Sequence, residues 1–385
     1  MERVRVGVVG AGFSGQSHMR ALRQLPQVDV VAVADRTLEH AQMAAENMGV
    51  TACFEDHVAM LRDMKLDAIH NCTPNLAHAG VTLAALEHGV HVLSEKPLGM
   101  DSKETLSLVQ AAAAADVVTG VCFNYRYYPL IREIRATLES GRVGSPHLIH
   151  GSYLQDWLLL ETDWNWRLEA DKGGPSRAVA DIGSHWIDLV QYVTGDVVDE
   201  VMAHLGRLHE QRLRPSAQIA TFASAAGVER EVVAIDTEDF GCVLLRFSSG
   251  CSGVVTVSQV SAGRKNSLTI EIDTSGAAFS WNQEDPNALW VGHRGEPNRL
   301  VLRDPSLMDG ATTRFSRLPA GHPEGWLDTF VNLFSDFYGA IVAKSEGAEY
   351  RPSFATFSDA HRIEQTVEAV LASSRLGRPV RVGED

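Results

Sequence analysis

Apolar residues near the start of the chain form two short runs with a helical pattern between them. The first run, Val4–Val9, leads into a glycine-rich turn, and the second, Val28–Ala34, ends at Asp35. Between the runs, apolar residues recur at a spacing typical of one helix face: Met19, Leu22 and Leu25. The pattern therefore predicts a strand, a glycine turn, a helix and a second strand within the first 36 residues.

Strands and helices continue to alternate as far as Tyr125. The predicted strands are Leu66–Cys72, Val90–Ser94 and Val117–Cys122, and the predicted helices are Leu38–Met48, Ala77–Glu87 and Lys103–Ala115. Alternation at this pitch favours a parallel, doubly wound α/β sheet of the Rossmann type, and we assign it to residues 1–125. Ligands of such sheets bind at the carboxyl ends of the strands. These ends carry Gly10, Asp35, Thr73–Asn75, Glu95–Pro97 and Asn124.

Residues 126–385 have a different pattern, in which hairpins dominate. The predicted strands are His147–Tyr153, Val198–Leu205, Glu231–Ile235, Phe240–Phe247, Gly253–Gln259, Ser267–Asp273 and Ala277–Trp281, and the predicted helices are Leu130–Ser140, Ser184–Val193, Gly325–Lys344 and Phe357–Ser374. This order predicts an α+β domain with an open, mainly antiparallel sheet. Several strands are apolar at both parities, so we expect a partner subunit to cover the second face. Gln211–Gly227 looks like a variable insertion without an assignable role.

Composition narrows the class of protein. The chain has 385 residues and a net charge of −15, which argues against nucleic acid and anionic membranes as partners. Its five cysteines show no CxxC spacing, which favours free thiols in a reducing compartment and no structural zinc site. No apolar stretch is long enough to span a bilayer, and the first strand leaves no room for a signal peptide. We expect a soluble cytoplasmic protein.

The glycine turn has the spacing of a dinucleotide-binding motif. Gly10 allows the tight turn, Gly12 allows a pyrophosphate to approach the backbone, and Gly15 allows the helix to pack closely on the sheet. Asp35 lies at the distance expected for an acid that accepts hydrogen bonds from the adenosine ribose. The acid favours NAD, whereas the adjacent Arg36 would tolerate the 2′-phosphate of NADP. A tight βα turn in another α/β protein is the alternative.

Lys96 follows a predicted strand within Glu95-Lys96-Pro97. A lysine at this edge of the sheet would hydrogen-bond a substrate hydroxyl near a nicotinamide. The alternative is a surface lysine before a turn proline.

Asp181 and His185 are four residues apart, which places both on one face if the segment is helical. A carboxylate beside an imidazole orients it and stabilises its protonated form, as general acid–base catalysis on a secondary alcohol requires. The alternative is a capping aspartate with a core or surface histidine. The motif lacks metal-ligand spacing, and no G-x-S-x-G elbow of a serine hydrolase precedes it.

Aromatic and cationic residues share a predicted loop. Trp157 and Trp164 precede Trp166-Arg167, a pair suited to stacking and to hydrogen bonds with a sugar or a nicotinamide. An aromatic patch that anchors a loop or subunit interface explains them equally well. Arg126 and His322 are weaker candidates for substrate contact, because each lies in a segment more typical of a turn.

These motifs, taken together, resemble the Gfo/Idh/MocA oxidoreductases over essentially the whole chain. The resemblance rests on Gly10–Gly15, Thr73-Pro74-Asn75 with His78, Glu95-Lys96-Pro97, Trp166-Arg167 and Asp181 to His185, in family order and at similar spacing. The segment Gly321–Trp326 is similar to the branch that contains anhydrosugar and glycoside dehydrogenases. The resemblance implies dimers or tetramers built on the sheet of the second domain, which would also bind the substrate.

The resemblance also implies roles for individual residues. His185 would be the acid/base on the reacting hydroxyl, Asp181 its hydrogen-bonded partner, and Lys96 would polarise that hydroxyl. The implied cofactor contacts are Gly10, Gly12, Phe13, Ser14, Asp35, Arg36, Thr73, Pro74, Asn75, His78, Glu95, Lys96, Trp166 and Arg167. The implied substrate contacts are Lys96, Arg126, Trp157, Arg167, Asp181, His185 and His322.

The resulting hypothesis is an NAD-dependent dehydrogenase that oxidises one secondary hydroxyl of a sugar, anhydrosugar, glycoside or cyclitol. A glycosidase that uses NAD for transient oxidation and a dinucleotide-binding regulator without turnover are the alternatives. Reduction of biliverdin or of an imine on the same fold also agrees with the pattern.

Overall fold

A computed structural model describes residues 3–216 and 229–384. The chain forms two compact units. One unit contains the residues up to Tyr127 and Trp326–His361, and the other contains Tyr128–Gly325 and the residues from Arg362 onward.

The strands are β1 (Val4–Val9), β2 (Val28–Ala34), β3 (Ala52–Phe54), β4 (Ala68–Asn71), β5 (His91–Ser94), β6 (Thr119–Val121), β7 (Pro146–Leu154), β8 (Val198–Gly206), β9 (Gln211–Pro215), β10 (Arg230–Ala234), β11 (Phe240–Phe247), β12 (Ser252–Ser258), β13 (Ser267–Thr274), β14 (Ala278–Asn282), β15 (Ala288–Gly292), β16 (Arg299–Leu302) and β17 (Val380–Arg381). The α-helices are α1 (Phe13–Leu22), α2 (Leu38–Met48), α3 (His57–Asp63), α4 (Asn75–Glu87), α5 (Ser102–Ala114), α6 (Pro129–Glu139), α7 (Ala170–Gly173), α8 (Ser184–Thr194), α9 (Gly310–Thr313), α10 (Trp326–Ser345) and α11 (Phe357–Leu376).

Short polar side chains and a glycine set the helix ends of the first unit. Asp56 accepts hydrogen bonds from two backbone N–H groups at the start of α3, and Asp101 accepts one from Glu104 at the start of α5. Gly49 ends α2 in the left-handed conformation.

The first unit has a six-stranded parallel sheet in the order β3-β2-β1-β4-β5-β6, which confirms the predicted doubly wound fold. The register aligns the last residues of neighbouring strands. Val9 pairs with Ala34 and Asn71, Asn71 pairs with Ser94, and Ser94 pairs with Val121. The polar residues that follow these strands therefore share one edge of the sheet.

Helix α10 belongs to the first unit, although the sequence prediction assigned every residue after 125 to a second domain. Its apolar face carries Phe334 and Tyr338, which pack on His70, and the ring of Phe334 also lies 4.8 Å from that of His18. Burial of these rings explains why Trp326–His361 groups with the N-terminal sheet.

The second unit contains a nine-stranded sheet in the order β16-β15-β14-β13-β7-β12-β11-β8-β17. Its strand pairs are antiparallel except β7 with β12, which confirms the predicted mainly antiparallel sheet. The sequence prediction did not include β15, β16 and β17. Of the predicted insertion, Gln211–Pro215 forms β9, which pairs with β10, and residues 217–228 lie outside the described residues.

One face of this sheet is buried and the other is exposed. In β11, Val243, Leu245 and Phe247 are buried, whereas Leu244 between them is 56% exposed. On the buried face, the Trp186 indole N–H of α8 donates to the carbonyl of Thr269 in β13 at 3.0 Å. Helix α8, which carries the predicted His185, is therefore fixed directly on the sheet.

Candidate functional site

The glycine turn has the geometry of a dinucleotide cradle. Gly10 has a φ of +92°, and a Cβ there would lie 2.5 Å from the carbonyl oxygen of Cys72. A Cβ on Gly15 would lie 1.9 Å from the carbonyl oxygen of Gly10. A Cβ on Gly12 would meet nothing within 4 Å, so the space next to the N-terminus of α1 is open. This open space at the N-terminus of α1 fits a pyrophosphate.

Asp35 lies next to this turn at the end of β2. Its Oδ2 accepts a hydrogen bond from the backbone N–H of Ala11 at 2.8 Å, and its Oδ1 lies 3.7 Å from Nδ1 of His40. Arg36 is exposed beside it. The structure thus joins the predicted acid to the glycine turn, as ribose recognition requires.

Two further residues of the turn lie at the start of α1. Phe13 is 53% exposed, and its ring stacks on Trp326 at a centroid distance of 5.7 Å. Ser14 is the next residue of the helix and is half-buried. The stack ties the glycine turn to the first residue of α10, a contact that sequence spacing does not reveal.

His78 holds the loop after β4 against the loop after β5. Its Nε2 lies 2.7 Å from the carbonyl oxygen of Thr73, and its Nδ1 lies 2.5 Å from that of Pro97. Burial lowers the pKa of His78 more than the contacts with these backbone carbonyls raise it. Pro74 precedes α4, and Asn75 begins it. The two predicted motifs are therefore neighbours at the carboxyl edge of the sheet.

Glu95 is a buried carboxylate beneath the half-buried Lys96. Its Oε1 lies 3.0 Å from Nε2 of His18, and its Oε2 accepts the backbone N–H of Lys96 at 3.1 Å. Burial raises the pKa of Glu95, but the hydrogen bond and charge of His18, with the nearby Lys96, hold it at about 2. The pair fixes the backbone from which the Lys96 side chain extends.

The sequence analysis missed a chain of hydrogen bonds that runs from Glu95 through His18 and His70 to Tyr338. His18 Nδ1 lies 2.8 Å from His70 Nδ1, and His70 Nε2 lies 2.7 Å from the Tyr338 hydroxyl. Burial and the charge of His18 lower the pKa of His70 well below its usual value. His18 therefore connects Glu95 to His70 within one buried network.

In the second unit, Asp181 lies in a π-helical turn, Val179–Gly183, that leads directly into α8. Its Oδ1 lies 3.2 Å from Nε of Arg167, and its Oδ2 accepts a hydrogen bond from Nε2 of Gln259 at 2.9 Å. His185 is buried in the first turn of α8, with its ring centroid 6.3 Å from that of Tyr153. Such π-turns are frequent at functional sites.

Arg167 connects the aromatic loop to Asp181. Its guanidinium carbon lies 4.4 Å from the centroid of the Trp166 ring, and its backbone N–H and Nη1 donate to Oδ1 of Asn165, both at 3.2 Å. The structure therefore brings the predicted Trp166-Arg167 and Asp181–His185 motifs together in one unit.

The remaining predicted substrate residues have other surroundings. The Trp157 indole donates to Oε1 of Gln155 at 2.8 Å, and its ring packs against the buried cluster that contains Leu158. Arg126 is buried in the first unit, where Nη1 lies 3.8 Å from Oδ2 of Asp359. His322 is exposed, with Nδ1 3.3 Å from the carbonyl oxygen of Ala320.

A second network missed by the sequence analysis supports Asp181. Gln259 accepts a hydrogen bond from Nη1 of Arg177 at 2.9 Å, and Arg177 pairs with Asp239. Arg212 donates to the same carboxylate at 2.7 Å, and both guanidinium side chains are fully buried. Burial raises the pKa of Asp239, but Arg177 and Arg212 lower it by more, so that it lies below its usual value. Charged residues beside apolar strands were the sequence signal for this network.

Comparisons with known proteins show to which protein family the chain belongs. A model described as "Oxidoreductase family, NAD-binding Rossmann fold" matches residues 4–123, and one for the GFO/IDH/MocA C-terminal domain matches residues 131–280. The chain belongs to the Gfo/Idh/MocA oxidoreductase family. It is an NAD-binding enzyme that acts on CH–OH groups, in a family of sugar and cyclitol dehydrogenases.

Similar proteins match over the full length. Levoglucosan dehydrogenase of Pseudarthrobacter phenanthrenivorans is 28% identical over 389 residues, which is 97% of either chain. A crystal structure of an oxidoreductase domain protein from Kribbella flavida is 30% identical, with a TM-score of 0.88 and 100% coverage of both chains. A structure of levoglucosan dehydrogenase in complex with NADH and levoglucosan is 25% identical, with a TM-score of 0.88 and the same coverage. Among the described residues, no helix is long and apolar enough to cross a membrane.

Proposed function

We propose that this enzyme oxidises one secondary hydroxyl of a sugar, anhydrosugar, glycoside or cyclitol, with His185 as the acid/base. The observation that carries the proposal is the Asp181 carboxylate, fixed by Arg167 and Gln259 one helical turn before His185. A fixed carboxylate beside an imidazole is suited to proton removal from an alcohol. NAD supplies the hydride acceptor, and the protein supplies orientation and electrostatics.

The residues of the first unit would bind the cofactor and prepare the alcohol. The glycine turn would hold the pyrophosphate, and Asp35 would accept hydrogen bonds from the adenosine ribose. Lys96 would donate to the reacting hydroxyl, and the Glu95–His18 pair would keep its backbone in place.

The residues of the second unit would move the proton. His185 would take it from the hydroxyl while the carbon loses hydride, and Asp181 would stabilise the imidazolium that results. Trp166 and Arg167 would contact the nicotinamide and the substrate, and their own contact with each other supports a shared role. Trp157, Arg126 and His322 are proposed substrate contacts on the family resemblance alone.

The exposed face of the nine-stranded sheet is the proposed surface for a homodimer or homotetramer. Five apolar residues of this face are each more than a third exposed: Leu148, Met202, Leu244, Val254 and Trp290. Such exposure in a single subunit is typical of residues that a partner subunit covers.

The experiment that tests the function is an NADH absorbance assay with NAD and a panel of sugars, anhydrosugars, glycosides and cyclitols. The proposal requires NADH formation with at least one of them. Glycoside cleavage without net NADH would instead indicate transient oxidation, and dinucleotide binding without turnover on the whole panel would indicate a regulator. Turnover with NAD, compared with turnover with NADP in the same assay, gives the cofactor preference.

A further inference from the structure

The two oxygens of the Asp181 carboxylate have different partners. Oδ1 pairs with Arg167, whose Nε lies 3.2 Å away, and Oδ2 accepts a hydrogen bond from Nε2 of Gln259 at 2.9 Å. Arg167 is partly exposed, whereas Gln259 is fully buried immediately after β12. The two partners therefore differ in burial, and Gln259 is the one without access to solvent.

The orientation of the Gln259 amide is dictated by Arg177. A guanidinium only donates hydrogen bonds, so the atom 2.9 Å from Arg177 Nη1 must be the amide oxygen Oε1. The amide NH₂ must then face Asp181, and a flipped amide would place two donors against each other. Gln259 can consequently act on Asp181 only as a hydrogen-bond donor.

Arg177 is fixed by buried acids on the other side. It pairs with Asp239, which also accepts from Arg212 at 2.7 Å. Glu238 Oε1 accepts the backbone N–H groups of Arg177 and Val179, both at 2.9 Å. Val179 begins the π-turn that contains Asp181, so one network fixes both the backbone and the carboxylate of this turn.

We infer that Gln259 is a positioning residue, which holds the Asp181 carboxylate in one orientation, one helical turn before His185. The inference rests on the proposed function, in which His185 is the acid/base. Charged and titratable groups contact each member of this network. Arg167 pairs with Asp181, and the Tyr153 ring lies beside His185. Arg177 contacts Gln259 and is held in turn by Glu238 and Asp239.

Two variants of nearly unchanged size test this role by steady-state kinetics. Gln259→Leu removes the donor, and we expect kcat to fall about 10- to 100-fold, as loss of a hydrogen bond to a charged group predicts, with NADH affinity within about twofold. Gln259→Glu places a second carboxylate against Asp181. A shared proton or the added negative charge would move the acidic limb of the kcat/KM profile up by about one pH unit or more.

Gln283 supplies the matched control. It is another buried glutamine of the same unit, and its amide donates to the Tyr128 hydroxyl at 3.0 Å. Gln283→Leu and Gln283→Glu should leave the pH profile unchanged. If the Gln259 variants lose no more kcat than the Gln283 variants and keep the wild-type pH profile, the inference is wrong.

A measurement without turnover separates this inference from the proposed function. In NMR titrations of ¹³C-labelled aspartate carboxyls, Asp181→Asn identifies the Asp181 signal. Its midpoint should rise by about one pH unit in Gln259→Leu, because the ionised form loses a donor. An unchanged midpoint overturns the positioning role. A wild-type protein that reduces no NAD on the polyol panel overturns the proposed function, while the titration still decides the role of Gln259.

Discussion

Lys96 and His185 are the two residues on which the proposed chemistry depends most. We expect Lys96→Ala and His185→Ala to lower kcat about 10²- to 10⁴-fold, the usual loss when a general acid–base group is removed, while dinucleotide binding remains. Turnover and NADH fluorescence titration measure the two effects separately. Lys103→Ala and His147→Ala, at exposed positions, are the controls. A variant at Lys96 or His185 that kept most of its rate would refute that residue's role.

Asp35 sets the expected preference for NAD. Its carboxylate accepts the Ala11 N–H beside the glycine turn, and the exposed Arg36 follows it. In Asp35→Ser the repulsion of a 2′-phosphate is lost while Arg36 remains. The ratio of kcat/KM for NADP to that for NAD should rise about tenfold or more, which corresponds to about 1.4 kcal/mol.

The control for this prediction is Asp29→Ser, since Asp29 is exposed on the same strand but lies away from its carboxyl end. An equal change of the ratio in both variants would show that general charge, and not the position of Asp35, determines the preference.

Sequence spacing was sufficient to predict which residues lie together where they belong to one local motif. Gly10, Gly12 and Asp35 belong to one strand–turn–helix–strand unit, and His185 follows Asp181 by one turn. Gln259 and Arg177 were missed because their side-chain contacts have no local pattern: Gln259 reaches Asp181 from 78 residues away, and Arg177 reaches Gln259 from 82 residues away. A buried glutamine after an apolar strand looks like an ordinary strand end.

At the scale of elements, the Glu95–His18 pair joins β5 to α1. The pKa of Glu95 lies below its usual value of 4.5, at about 2, so the pair stabilises the fold above about pH 4.5 and loses this contribution as the pH falls towards 2. His18→Gln would remove the imidazole that hydrogen-bonds this buried carboxylate. We expect the free energy of unfolding at pH 7 to fall by about 3–5 kcal/mol, measured by urea denaturation.

An exposed pair gives the comparison. Arg135 and Glu139 form an i,i+4 pair with a 2.7 Å contact on α6, where the Glu139 side chain is 60% exposed. Glu139→Gln should change the free energy of unfolding by less than about 1 kcal/mol. A loss from His18→Gln as small as that would contradict a stabilising role for the buried pair.

Most strands and helices in the first 125 residues followed from periodicity, because a buried strand or an amphipathic helix carries its own pattern, whereas the short β3 and α3 were not predicted. Strands β15–β17 were missed since Ala288–Gly292, Arg299–Leu302 and Val380–Arg381 are short and lie at or near sheet edges. The assignment of α10 to the first unit required its contacts with His18 and His70, which lie more than 250 residues earlier in the chain.

At the scale of the whole molecule, the exposed sheet face determines the expected assembly. We predict that Leu244→Glu, which places a charge at an apolar position of that face, converts the oligomer to smaller species in light scattering after size-exclusion chromatography. Leu307→Glu, at a position 82% exposed outside the sheet, should leave the mass unchanged. A monomeric wild-type protein, or equal masses for wild type and Leu244→Glu, would refute the interface.

The grouping of Trp326–His361 with the N-terminal sheet has a consequence for synthesis of the chain. The first unit is built from two segments, and nearly the whole second unit is translated between them. Until α10 has left the ribosome, His70 has no Tyr338 to bond and the rings of α10 cannot cover His18. The nucleotide-binding unit, although its sheet is translated first, therefore cannot complete its core until most of the second unit has been made, whereas a domain built from one continuous segment would fold while translation continued.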